Sequence, residues 1–152
     1  MTKATTVDAP VLEHPSVLSR IREILGVPRL RTDRDVVKLV EQRLPPRAID
    51  ALRHSGLTDD EVYSLIVPRR TLTHRRARRE ALSRDESDRV VRVARVVALC
   101  EDVFGDRPRG WRWLRDRKRQ FQGRAPLELL ATEAGARLVE ELLYRIDEGM
   151  AA

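Results

Sequence analysis

Valine, leucine and isoleucine recur along this chain at spacings of three and four, and period-two alternation is almost absent. That rhythm suits helices and gives no basis for a sheet, so the predicted class is all-α. Breakers cut the rhythm into short lengths. A first helix is predicted from Pro15 to Leu25, striped by Leu18, Ile21, Ile24 and Leu25 and stopped by Gly26 to Pro28. A second begins at Thr32, with Asp35 at the reciprocal capping position, and is expected to bury Val36, Leu39, Val40 and Leu44. Pro46, expected as the first helical residue, opens a third helix that runs to Gly56.

Thr58 and Glu61 have capping-box spacing ahead of a fourth helix, Asp59 to Leu65, and Val67-Pro68 forces a turn. A fifth helix resumes at Pro68 or Arg69 and runs to about Ala81. Ser83 and Glu86 open a long helix to Phe104, with Val90, Val93, Ala94, Val97 and Cys100 on its buried side. Gly105, Pro108 and Gly110 are expected to break the chain again. Short helices then follow at Arg112 to Arg119 and Pro126 to Leu130, and a last one from Thr132 or Glu133 to Glu148, stopped by Gly149.

The 152 residues suit one ordinary domain or two very small ones. With 36% charged and 4% aromatic residues, the core must be aliphatic and the surface ionic. Thirty basic groups against 24 acidic give a net charge of +6, which points to a polyanion or an acidic partner. The excess is not spread evenly. Residues 1–84 carry 17 basic and 11 acidic side chains, whereas 85–152 carry 13 of each. The lone Cys100 excludes an internal disulfide and a multi-cysteine zinc site, and reads as an inert core thiol. No stretch is apolar enough for a membrane span and Met1 to Pro10 lacks a signal-peptide core, so a cytoplasmic, reduced location is expected.

The fourth and fifth helices, with a tight turn between them, have helix-turn-helix spacing. Six arginines and no acid lie between 69 and 79. The open start of the second helix offers amides and a positive dipole end to a phosphate. Arg70, Thr71, Thr73 and His74 are the candidates for base edges, Arg75, Arg76, Arg78 and Arg79 the further phosphate contacts, and Arg69 at the helix start is counted with the DNA-binding set. The competing account of such a run is a solvated arginine-rich face; its position on the second helix of the pair favours DNA. His14 and His54 have no metal or triad partners nearby in sequence.

In the second half, Trp111 and Trp113 cannot share one helical face, so one belongs to the core and the other is a candidate interface anchor; Trp113 is counted among the toxin-binding candidates. Gly135 within a helix suggests close packing against a neighbour. Glu140, Glu141, Asp147 and Glu148 suit either a basic pocket or a solvated face.

Leu82-Ser83-Arg84-Asp85-Glu86-Ser87, Val103-Phe104-Gly105-Asp106, Trp113-Leu114, Gly123-Arg124-Ala125-Pro126-Leu127-Glu128-Leu129-Leu130 and Thr132-Glu133-Ala134-Gly135-Ala136 stand in the order of a known family. With the closing Leu143 to Gly149, the chain resembles the Xre/MbcA/ParS-like antitoxins over roughly residues 40–150. The resemblance implies an Xre-like helix-turn-helix module followed by a small helical toxin-binding domain. It also implies a RES-domain toxin partner that consumes NAD, blocked by the antitoxin's C-terminal end, and repression of the shared promoter by binding operator DNA. On this chain the blocking role falls to Tyr144, Arg145, Asp147, Glu148 and Gly149. The expected division is an N-terminal extension with a helix over 1–30, a DNA-binding module over 31–84 and a toxin-binding domain over 85–152.

Homodimerisation is expected, because this motif generally reads paired half-sites. No cofactor, metal or membrane partner is implied. The alternative is a stand-alone helix-turn-helix regulator whose C-terminal half serves oligomerisation. An enzyme is not expected, since no catalytic carboxylate pair, glycine-rich phosphate loop or nucleophile arrangement occurs.

Overall fold

The computed structural model describes residues 15–149. Expectations for His14 and for Met1 to Pro10 lie outside the described residues. Within them the chain forms nine α-helices: α1 (Pro15–Leu25), α2 (Asp33–Glu41), α3 (Arg47–Ser55), α4 (Asp59–Leu65), α5 (Arg69–Ala77), α6 (Arg84–Phe104), α7 (Arg107–Arg115), α8 (Pro126–Leu129) and α9 (Glu133–Asp147). The all-α class holds.

Three capping boxes set the starts of α2, α4 and α6. Thr32, Thr58 and Ser83 accept from the N3 amides of Asp35, Glu61 and Glu86, whose carboxylates return the bond to the cap amide at 2.7–2.9 Å. Each box satisfies two of the orphan donors at a helix start. The N-cap of α3 is Pro46, one residue before the position expected for it.

Helix α6 is the axis of the fold. Val90, Val91, Val93, Ala94 and the run Val96 to Cys100 are all buried. A helix apolar on every side needs neighbours all round, and α6 packs against α1, α2, α3, α7 and α9. One connected apolar cluster therefore runs from Val17 to Leu143. The expected division at residue 84 falls at the first residue of α6, whose buried faces serve the helices on both sides.

Three helices depart from expectation. Helix α2 buries none of its residues; Val36, Leu39 and Val40 are only half-covered and Val37 is 55% exposed, while Leu44 beyond its end does reach the core. Helix α5 stops at Ala77 rather than near Ala81. Arg79 adopts a left-handed φ of 55°, and the Glu80 amide donates back to the Arg75 carbonyl at 2.9 Å, which closes the helix end. The fully buried Leu82 then donates its amide to the Leu44 carbonyl at 2.8 Å. Helix α7 begins at Arg107, five residues before the expected Arg112, so neither Pro108 nor Gly110 breaks it. Asp106 caps it by accepting from the Arg109 amide at 2.7 Å. Pro108 lies in the first turn, where a missing N–H costs nothing. The chain then tightens into a 3-10 turn, Arg119–Phe121, closed by a bridge between Lys118 and Arg124.

Candidate nucleic-acid interface and partner-binding end

Helix α4, the turn Ile66-Val67-Pro68 and helix α5 are held from below. Leu65, Ile66, Val67 and Leu72 are buried, and Arg89 of α6 donates to the Ile66 carbonyl at 3.1 Å. Leu72 is the only buried residue of α5, with Thr71 and Arg75 half-buried beside it, and the opposite side of the helix faces out. Arg69, Arg70, Thr73, His74 and Ala77 line one shallow depression on that outer side. Arg69, Arg70 and His74 make no ion pair among the described residues, and no acid occupies the first turn. The Thr73 hydroxyl donates to the Arg69 carbonyl at 3.0 Å, and Thr71 is half-buried beside Leu72.

The remaining arginines near α5 are not equivalent. Arg75 is turned inward: its Nε lies 2.7 Å from Glu86 Oε2 and its Nη2 donates to Glu86 Oε1 at 3.1 Å. Glu86 is buried at 7% exposure, so Arg75 neutralises the start of α6. Arg76 donates to Asp50 of α3 at 2.6 Å, and Arg53 reaches the same oxygen at 3.0 Å. Burial pushes the Asp50 carboxyl up, but the two guanidinium groups outweigh it and hold the carboxyl below its ordinary value. Arg79 lies past the helix end, exposed.

Helix α9 is clamped to α6 by ion pairs. Arg92 donates to Glu133 at 3.1 Å and to Asp88 at 2.9 Å; Arg95 donates to Glu133 at 3.0 Å and to Glu140 at 2.5 Å. Burial raises the Glu133 carboxyl, yet Arg95 and Arg92 bring it below its ordinary value. Glu140 is thus engaged inside the fold, whereas Glu141, Asp147 and Glu148 are exposed. Gly135 makes the junction with α8 possible, since a Cβ there would meet the Leu129 carbonyl oxygen at 2.0 Å.

Arg145 faces solvent with Glu141 3.9 Å away, and Gly149 closes the helix with a φ of 71°. Tyr144 is half-buried, and burial with the nearby Glu140 charge raises its hydroxyl pKa. Of the two tryptophans, Trp111 is the core one. Trp113 is half-covered, its ring 5.6 Å from that of Phe104, with the Lys118 ammonium 5.2 Å above it.

One feature of this geometry has no short-range signal. Arg115 donates to both oxygens of Glu61 at 2.8 and 3.0 Å and to the Gly56 carbonyl at 2.7 Å, across more than 50 residues of sequence. Its guanidinium also lies 4.7 Å from the Trp111 ring centre. Cys100 is sealed in the core with its thiol pushed up to about 12 by burial, too high for a nucleophile at neutral pH. Among the described residues no group of His, Cys, Asp and Glu is placed to hold a metal ion, and no helix is long and apolar enough to cross a membrane.

Comparison with known proteins matches the two ends of the molecule separately. Residues 35–95 match the antitoxin Xre-like helix-turn-helix domain. Residues 100–149 match the antitoxin Xre/MbcA/ParS C-terminal toxin-binding domain. An Antitoxin Xre of Pseudomonas putida is 34% identical over 131 residues, 86% of this chain and 82% of that protein. An Antitoxin Xre of Yersinia enterocolitica is 34% identical over 85 residues, 55% of this chain and 57% of that one. A helical helix-turn-helix domain running into a toxin-binding domain is the build of an antitoxin from a toxin-antitoxin system. The chain belongs to the Xre/MbcA/ParS-like antitoxin family.

Proposed function

We propose that this antitoxin binds and blocks a RES-domain toxin that consumes NAD, and represses its own operon by binding operator DNA as a homodimer. It acts by binding and needs no cofactor. The observation that carries the DNA half is the outward face of α5, where Arg69, Arg70, Thr73 and His74 stand together on the side away from buried Leu72. Free cations on the second helix of such a pair are suited to phosphates and base edges in a major groove. Arg76 and Arg79 extend the cationic edge; Thr71 and Arg75 lie closer in and serve mainly to hold the helix.

The toxin half rests on the C-terminal end, where Arg145, Asp147, Glu148 and Gly149 are exposed beyond the clamp formed by Glu133 and Glu140. Tyr144 in the last turns of α9 and Trp113 on α7 are half-covered aromatic groups suited to an interface. In this reading residues 31–84 form the DNA-binding module and 85–152 the toxin-binding domain, with residues 1–30 an extension whose α1 packs on α6. The match of residues 100–149 to a toxin-binding domain disfavours a stand-alone regulator.

Two assays test the proposal. Co-expression with the toxin encoded beside it should restore growth and cellular NAD, and the purified chain should shift a fragment of its own promoter. A toxin partner from another family, or a promoter fragment bound no better than random DNA, would overturn the corresponding half.

A further inference from the structure

Helix α2 turns Val36, Leu39 and Val40 toward the core, yet it carries a second, outer stripe. Arg34, Val37, Lys38 and Glu41 follow the i, i+3, i+4, i+7 spacing of one helix face, and all four are exposed. Val37, at 55%, is the most exposed large hydrophobic residue described. Arg34 and Glu41 take part in no ion pair among the described residues. The stripe thus has an apolar centre, a positive end and a negative end, without internal partners for the two ends.

Such a pattern is complementary to itself. Two copies of α2 laid antiparallel, with a two-fold axis between Val37 and Lys38, bring Arg34 of each against Glu41 of the other and lay Val37 on the aliphatic stem of Lys38. A parallel pairing would set Arg34 on Arg34 and Glu41 on Glu41. We propose that the outer face of α2 is the seam of the homodimer, with a second copy of this chain as its occupant. The inference rests on the dimer reading above and names the surface that makes it.

Sedimentation equilibrium of the full chain, without DNA or toxin, tests it. Arg34→Glu and Glu41→Arg should each raise the dimer dissociation constant by about tenfold or more, because two attractive pairs become repulsive. The double variant R34E/E41R should recover the wild-type constant, since the pairs are restored with the signs exchanged. Each single change places an acid near the start of the helix or a base near its end, which the helix dipole favours. Dimer loss therefore reports the interface rather than a weakened helix, and an unchanged circular dichroism melt checks this. Val37→Glu should also dissociate the dimer.

A chain that stays monomeric at concentrations where it binds DNA would overturn both the dimer and this seam. A dimer indifferent to R34E, E41R and V37E, or one that the double variant fails to restore, would overturn the seam alone. Loss of the dimer on deleting residues 1–14, with R34E silent, would likewise assign the contact elsewhere.

Discussion

The Trp111 indole donates its Nε1 proton to the Ser55 carbonyl at 2.6 Å, both groups buried. The ring lies against Gly56, whose φ of 133° suits glycine and whose missing side chain leaves the indole its place; a Cβ there would meet Trp111 Nε1 at 2.4 Å. With Arg115 bonded to Gly56 and Glu61, this contact fastens α7 of the toxin-binding domain to α3 and α4 of the helix-turn-helix domain.

Gly56→Ala should therefore cost more than a surface change. The strained backbone alone costs about 1–3 kcal/mol, and displacing the indole adds to it. Urea denaturation should show a loss of roughly 3 kcal/mol, against about 1–3 kcal/mol for Trp111→Phe, which keeps most of the ring but orphans the Ser55 carbonyl. A neutral Gly56→Ala would mean that the indole is free to move.

Arg70→Ala should weaken operator binding and reduce the slope of log K against log salt by about one, the signature of one lost phosphate contact. Toxin neutralisation and the melting temperature should not change. Arg75→Ala should behave differently, because it strands the buried Glu86. We expect a stability loss of about 3 kcal/mol in denaturation, in the range for removing one partner of a buried pair. Fluorescence anisotropy across a salt series, beside melting curves, separates the two.

Removing residues 147–152 should abolish neutralisation and leave DNA binding and stability intact. The cut falls after the last turn that contributes to the core, since Leu143 is fully buried and Ile146 only half-covered. A cut after Leu142 would instead remove Leu143 and confuse lost function with lost packing. Growth rescue by the shortened chain would exclude the tail as the blocking element.

Acid should loosen the clamp between α6 and α9. The folded-state pKa of Glu133 lies below its ordinary 4.5, so its stabilisation is fully present above pH 4.5 and is lost as pH falls from there through the folded value. Glu61, held low by Arg115 and Thr58 against the opposing effect of burial, acts in the same direction. Urea midpoints should be flat from neutrality to about pH 5 and then decline. Glu133→Gln should be less stable at neutral pH and show a shallower acid decline; a parallel curve would mean that the pair contributes nothing.

The capping boxes at Thr32, Thr58 and Ser83, and most helix boundaries, were legible in sequence because they depend on contacts within four residues. The same holds for the arginine run of α5 and for the family motifs. Pro108 and Gly110 misled for a related reason: their usual effect as breakers is a local tendency, overridden once Asp106 caps α7 and the helix finds α6 to pack on. The apolar side of α2 misled because periodicity says which residues share a face but not how much of that face a neighbour covers.

By itself, then, the sequence determined an all-helical chain, its punctuation, its basic first half and its kinship. Which cations remain free was decided only by the tertiary structure. Arg70 and Arg75 look alike in the sequence, five residues apart on one helix, yet one faces solvent and the other reaches a buried carboxylate on α6. The same holds for Glu140 and Glu141, and for Trp111 and Trp113. In each case the partner lies on another helix, from 11 residues away for Arg75 and Glu86 to 56 for Trp111 and Ser55, and a short-range pattern carries no information about it.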